Sequence, residues 1–68
     1  MQKWEHIIVE PRVGFIAVHN NGEKQVIKVP KPDVHFEYLS KLLSELGRQG
    51  WELTTSDQYI ITLKRPLP

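Results

Sequence analysis

Cysteine is absent from the 68 residues, which excludes disulfide staples and thiolate metal sites. A cysteine-free chain also fits a reducing compartment, so a cytoplasmic location is expected. No apolar run approaches the roughly 20 residues that a membrane-spanning helix needs. The opening MQKWEHIIVEP lacks the long apolar core and small-residue cleavage site of a signal peptide, and no membrane association is expected. Charge of one sign is missing too: nine basic residues against eight acidic leave a net charge of +1, far from the concentrated positive field that phosphate backbones select. A chain this short forms a single domain over residues 1–68 and buries only about 60% of its unfolded surface. Without staples, the remaining sources of stability are an idealised core or oligomerisation.

What is present is one helix flanked by strands. Residues 3–9 (KWEHIIV) are rich in β-branched and aromatic side chains and form the first expected strand, which stops at Glu10-Pro11 because proline removes a ladder donor. Residues 13–19 and 24–29 form a hairpin around Asn20-Asn21-Gly22-Glu23, a run that tolerates positive φ. Pro30-Lys31-Pro32 then ends the pairing. Asp33 is the expected N-cap of a helix whose positive end Glu37 complements. Leu39, Leu42, Leu43 and Leu46 recur at i, i+3, i+4 and i+7, while Ser40, Lys41, Ser44 and Glu45 take the wet side. Gly47 or Gly50 ends the helix as a left-handed C-cap. Residues 51–55 and 58–64 form a second hairpin around Ser56-Asp57, and Pro66-Leu67-Pro68 is a tail that does not pair. The expected fold is α+β, in the order β-β-β-α-β-β: an antiparallel-rich sheet of about five strands with one amphipathic helix on one face.

Lys3-Trp4-Glu5, residues 39–50 (LSKLLSELGRQG), Trp51-Glu52-Leu53 and residues 61–66 (ITLKRP) together resemble the small bacterial and phage family known as domain of unknown function 4177. The resemblance covers both ends and the helix, and leaves the central hairpin, residues 13–30, outside it. It implies a compact sheet with one packed helix and no particular reaction. Such sequences usually carry an aromatic where this chain has His6, and a polar residue where it has Ile7.

Strand alternation places Trp4, His6 and Ile8 on one face and Glu5, Ile7 and Val9 on the other. With Trp51, Leu53, Tyr59, Ile61 and Leu63 assigned to the helix-covered face, the opposite face collects Ile7, Val9, Ile16, Val18, Val26 and Ile60. So much uncovered apolar surface marks a contact, and the expectation is a homo-oligomer, most simply a dimer packing sheet on sheet. The alternative is that strong curl folds the central hairpin over that face within one chain.

Chemistry finds little support. His6, His19 and His35 fall on separate elements without ligand spacing, so no metal and no cofactor are expected. Glu5 and Glu52 each follow a tryptophan and are expected on one sheet face, the single hint of a carboxylate pair. Ser40, Ser44 and Ser56 lack a glycine-rich elbow and a positioned histidine. The glycines at 47 and 50 lie at a helix C-terminus, where the dipole repels phosphate. The expected function is therefore non-enzymatic binding or regulation, through protein contacts or a small charged ligand held between subunits. The alternative is a nucleic acid or nucleotide contact through Arg12, Lys24, Lys28, Arg48 and Lys64 beside exposed aromatics, ranked second because charge is nearly balanced.

Overall fold

The computed structural model describes residues 2–57 and 59–67. Along the chain come β1 (Trp4–Arg12), β2 (Phe15–Asn20), β3 (Glu23–Lys28), a 3₁₀ turn (Pro32–Val34), α1 (His35–Arg48), β4 (Glu52–Ser56) and β5 (Ile61–Pro66). The strands form one antiparallel sheet in the order β3-β2-β1-β5-β4. The α+β class and the β-β-β-α-β-β order hold. Both hairpins flank β1, which joins the two ends of the chain.

The β2–β3 turn is the one the Asn-Gly pair predicts: Asn21 and Gly22 have φ of 55° and 80°, the left-handed pair that a two-residue hairpin loop with native twist requires. Proline does not stop β1 where expected. Beyond Val9 the strand has lost its β5 neighbour and pairs only with β2, so Pro11 sits on a locally free edge, where a missing donor is tolerated. The C-terminus also departs from expectation. Pro66 lies opposite Trp4 in the ladder, and Leu67 N–H donates to the Lys3 carbonyl at 2.9 Å. β5 begins only at Ile61. Of the start expected at Gln58, that residue lies outside the described residues, as does Pro68 of the expected tail.

Asp33 does not cap α1. It lies inside the 3₁₀ turn, which Pro32 opens with its preset φ, and the residue preceding α1 is Val34, with no side-chain cap. The other end is closed fully. Trp51 N–H donates to the Leu46 carbonyl (3.1 Å) and Gly50 N–H to the Gly47 carbonyl (3.0 Å), with Gly50 at φ 92°. This is the Schellman arrangement, in which Gly50 supplies the left-handed residue and the side chains of Leu46 and Trp51 join the core behind it.

The leucine stripe packs on the sheet face that carries Ile7, Val9, Ile16, Val18, Ile61 and Leu63. Trp51, Ile61 and Leu63 lie on the helix-covered side as expected, but Ile7, Val9, Ile16 and Val18, expected on the opposite face, lie there with them. Ile7 lies across from Leu63, and Val9 from both Val18 and Ile61; residues directly opposite in an antiparallel pair share a face. Ile7, Val9, Ile16 and Val18 are therefore core, not an uncovered partner surface. Val26 lies opposite Ala17 on the open face and is 52% exposed, while Ile60 belongs to the β4–β5 turn and is 40% exposed. The open face presents Trp4, His6 and Ile8 of β1 instead.

The two faces predict different tolerances on one hairpin. Ile16→Ala removes a fully buried side chain and should cost about 3 kcal/mol in denaturant unfolding. Val26→Thr, which keeps a β-branched residue on the open face, should stay within about 0.5 kcal/mol. Equal losses would contradict the face assignment.

Candidate functional site

Three connections converge at the end of the molecule where α1 begins: the β1–β2 turn, the 3₁₀ turn with the first residues of α1, and the β4–β5 turn. Between them lies an open cleft of about 410 Å³ lined by Pro11, Arg12, Val13, Pro32, Phe36 and Tyr59 among others. Val13 is 97% exposed, Phe36 80% and Tyr59 59%. Isolated apolar residues at a surface need no explanation, but a cluster around a concavity does.

Arg12 fastens this end. Its guanidinium donates to Glu10 Oε2 at 2.7 Å and to the Tyr59 carbonyl at 3.1 Å, tying the end of β1 to the β4–β5 turn. His35 Nε2 lies 3.2 Å from the Arg12 carbonyl, which draws the first turn of α1 to the same place. The His35 and Phe36 rings meet edge to face, with centroids 6.0 Å apart. In the β4–β5 turn, Asp57 Oδ1 accepts from the backbone amides of Tyr59 (2.7 Å) and Ile60 (2.8 Å), and these two bonds, Tyr59 first, lower the Asp57 pKa from 3.8. The side chains that shape the cleft are thus held by polar contacts, while the apolar ones project.

The residues singled out for nucleic acid divide. Arg12, Lys24, Lys28 and Lys64 all lie on the open sheet face, on register positions shared with Phe15, Ile8 and His6. Arg48 is on the outside of α1, where it pairs with Glu45 at 2.7 Å. Lys64 Nζ sits 4.1 Å from the centroid of the Trp4 ring. Glu10 serves Arg12 with one oxygen, and His19 Nε2 approaches the other to 2.5 Å without hydrogen-bond alignment; that contact is an ion pair only with a protonated imidazole. Glu5 and Glu52 do not share a face. Glu5 pairs with Arg65 beneath the helix side, whereas Glu52 lies across from Lys64 on the open side. Among the described residues no group of His, Asp and Glu is arranged to hold a metal ion, and no helix is long and apolar enough to cross a membrane.

Comparison of the chain with known families, with curated proteins and with solved structures finds no match. The site is accordingly read from its own geometry. Sequence reasoning missed the cleft because its walls come from three segments far apart in the chain. Strand and helix patterning places Val13 in a strand and Phe36 on the helix, so neither residue stands out as part of a site.

Asp57 supplies a pH test of the turn that presents Tyr59. Because its folded pKa is lowered, the stability it contributes is present above the unfolded value of 3.8 and is lost as pH falls through the folded value. Asp57→Ala should lower the melting temperature at pH 7 and reduce the difference between pH 7 and pH 2. Thermal melts at the two pH values check this, and an undiminished difference would contradict it.

Proposed function

We propose that this chain is a non-enzymatic binding protein that works as a homodimer through the Val13–Phe36–Tyr59 end. The observation that carries this reading is the position of Val13 and Phe36, the two most exposed large apolar side chains among the described residues, on the rim of one cleft. Surface area supports it. A compact monomer of this mass exposes about 4,450 Å², whereas the chain exposes 5166 Å². The excess of about 700 Å² is close to the roughly 800 Å² that each partner contributes to a standard interface. The shape agrees, with a radius of gyration of 12.3 Å against about 11 Å for a compact chain of this length. A two-fold contact brings the same patch of both copies together, and a projecting apolar pair beside a cleft offers such a contact both a knob and a recess. The placement of Glu5 and Glu52 on opposite faces also supports binding over hydrolysis.

Phe36→Glu places a charge at the proposed contact without touching the core. Light scattering over a dilution series should give the mass of two chains for the wild type and of one for Phe36→Glu, with association weakened at least about tenfold. Val26→Glu, on the open face, should leave the dimer intact. A single-chain mass throughout, or a dimer lost through Val26→Glu alone, would refute the proposal.

A second reading, contact with nucleic acid, is favoured by the gathering of Arg12, Lys24, Lys28 and Lys64 on the face that bears Trp4. If the open face binds a single strand through these cations, anisotropy of a labelled oligonucleotide should fall with added salt, with a log–log slope of about −2 to −3. No retention at 50 mM salt would remove this reading.

A further inference from the structure

A second concavity lies at the other end of α1, between the helix and the β1–β2–β3 side of the sheet. It is more enclosed than the first and holds about 270 Å³. Ile7, Val18, Ile27, Leu42, Leu46 and Trp51 make its apolar walls. Asn20, Glu23, Gln25, Glu45 and Gln49 supply the polar rim. This combination, apolar walls with a few convergent polar groups, is the make-up of a small-molecule site.

Two features give the ligand a chemistry. Asn20 shares the helix side of the sheet with Ile7, its partner across the β1–β2 ladder, and its Oδ1 is buried with no hydrogen-bond partner. A buried acceptor without a donor is costly and is rare in folded proteins. The rim is also acidic. No lysine lines the cleft, and its one arginine, Arg65, is already engaged with Glu5, with the Gln49 carbonyl at 3.0 Å and with the Trp51 ring at 4.4 Å. Glu45 meets Arg48 only in an exposed pair whose arginine is 72% open to water, a contact that holds little charge away from the cleft.

We infer that this cleft binds a small organic cation, a primary ammonium carried on an aromatic or branched aliphatic body. The ammonium has three donors and no acceptor, which suits the carboxylate of Glu23 and, once the Asn20 side chain turns its sealed oxygen toward the cleft, that oxygen as well. The body lies against Trp51 and the leucines. A carboxylate or phosphate ligand meets the acidic rim with the wrong sign, and a neutral alcohol leaves Glu23 without its counter-charge. The cleft and the proposed dimer contact stand at opposite ends of α1, so the two proposals are independent.

The probes are benzylammonium, benzyl alcohol and phenylacetate, titrated into ¹⁵N-labelled protein, wild type and Phe36→Glu, and followed by chemical shifts. Benzylammonium should give saturable shifts at the Asn20 side-chain amide and the Trp51 indole in both proteins. Benzyl alcohol should bind at least about fivefold more weakly, and phenylacetate should give no saturation. Asn20→Leu should weaken benzylammonium at least about tenfold while raising the melting temperature of the free protein, because the unpartnered buried oxygen is gone. If that variant does not fold, Glu23→Gln, an exposed edge-strand change, should weaken binding about threefold or more. No saturable shift by about 10 mM, equal binding of phenylacetate, shifts confined to the Val13–Phe36–Tyr59 end, or wild-type affinity in the variants would each overturn the proposal.

Discussion

Ile7 and Val9 of β1 lie across from Leu63 and Ile61 of β5, and this apolar seam between the two ends of the chain is the contact on which the remaining architecture depends. It makes β1 the central strand, with a hairpin on either side. Because side chains alternate along a strand, it also decides at one stroke which half of β1, and through β1 which half of β2, lies beneath the helix. A shift of one residue would place Trp4, His6 and Ile8 under α1 and expose Ile7 and Val9. The seam therefore specifies both what is buried and what remains for partners.

The two ends of α1 are built on different principles. At its C-terminus, the Schellman turn at Gly50 sends Trp51 back under the last turn of the helix, and Arg65 covers the indole while pairing with Glu5. Backbone, aromatic and charge all close on one another there, leaving a cleft bounded by well-held side chains. At the N-terminus no side chain caps the helix, and Phe36 projects into water beside turns fastened by Arg12 and Asp57. One end is thus suited to enclose a small molecule and the other to meet a surface. Both lie on the margins of a core too small to cover them.

Much of the fold was legible before any coordinates. The leucine spacing from Leu39 to Leu46, the Asn21-Gly22 turn and a glycine exit at Gly47 or Gly50, which the structure places at Gly50, each rest on local stereochemistry, which the chain carries wherever it is placed. Asp33 and Pro11 were misread for a common reason. A capping residue and a strand breaker are local tendencies, and each was overridden by its setting: a proline-led 3₁₀ turn ahead of Asp33, and a free edge beside Pro11. The face of β1 was misassigned because two apolar neighbours, Ile7 and Ile8, leave the alternation readable in either phase. Trp4 and Trp51 look alike in sequence, yet one lies on the open sheet and the other is 5% exposed.

By itself, the sequence determined the element types, their order and the helix stripe, together with the lack of thiol chemistry, because these follow from composition and from periodicities of 2 and 3.6 residues. Tertiary structure alone decided the strand order, the buried face and both clefts. The physical reason is that each of these is made by residues distant in the chain, and only the register of β1 with β5 and the docking of α1 bring them within contact distance. Asn20, Glu23 and Trp51 carry no joint signal along the chain, and they line one cleft only after the helix has returned across the sheet.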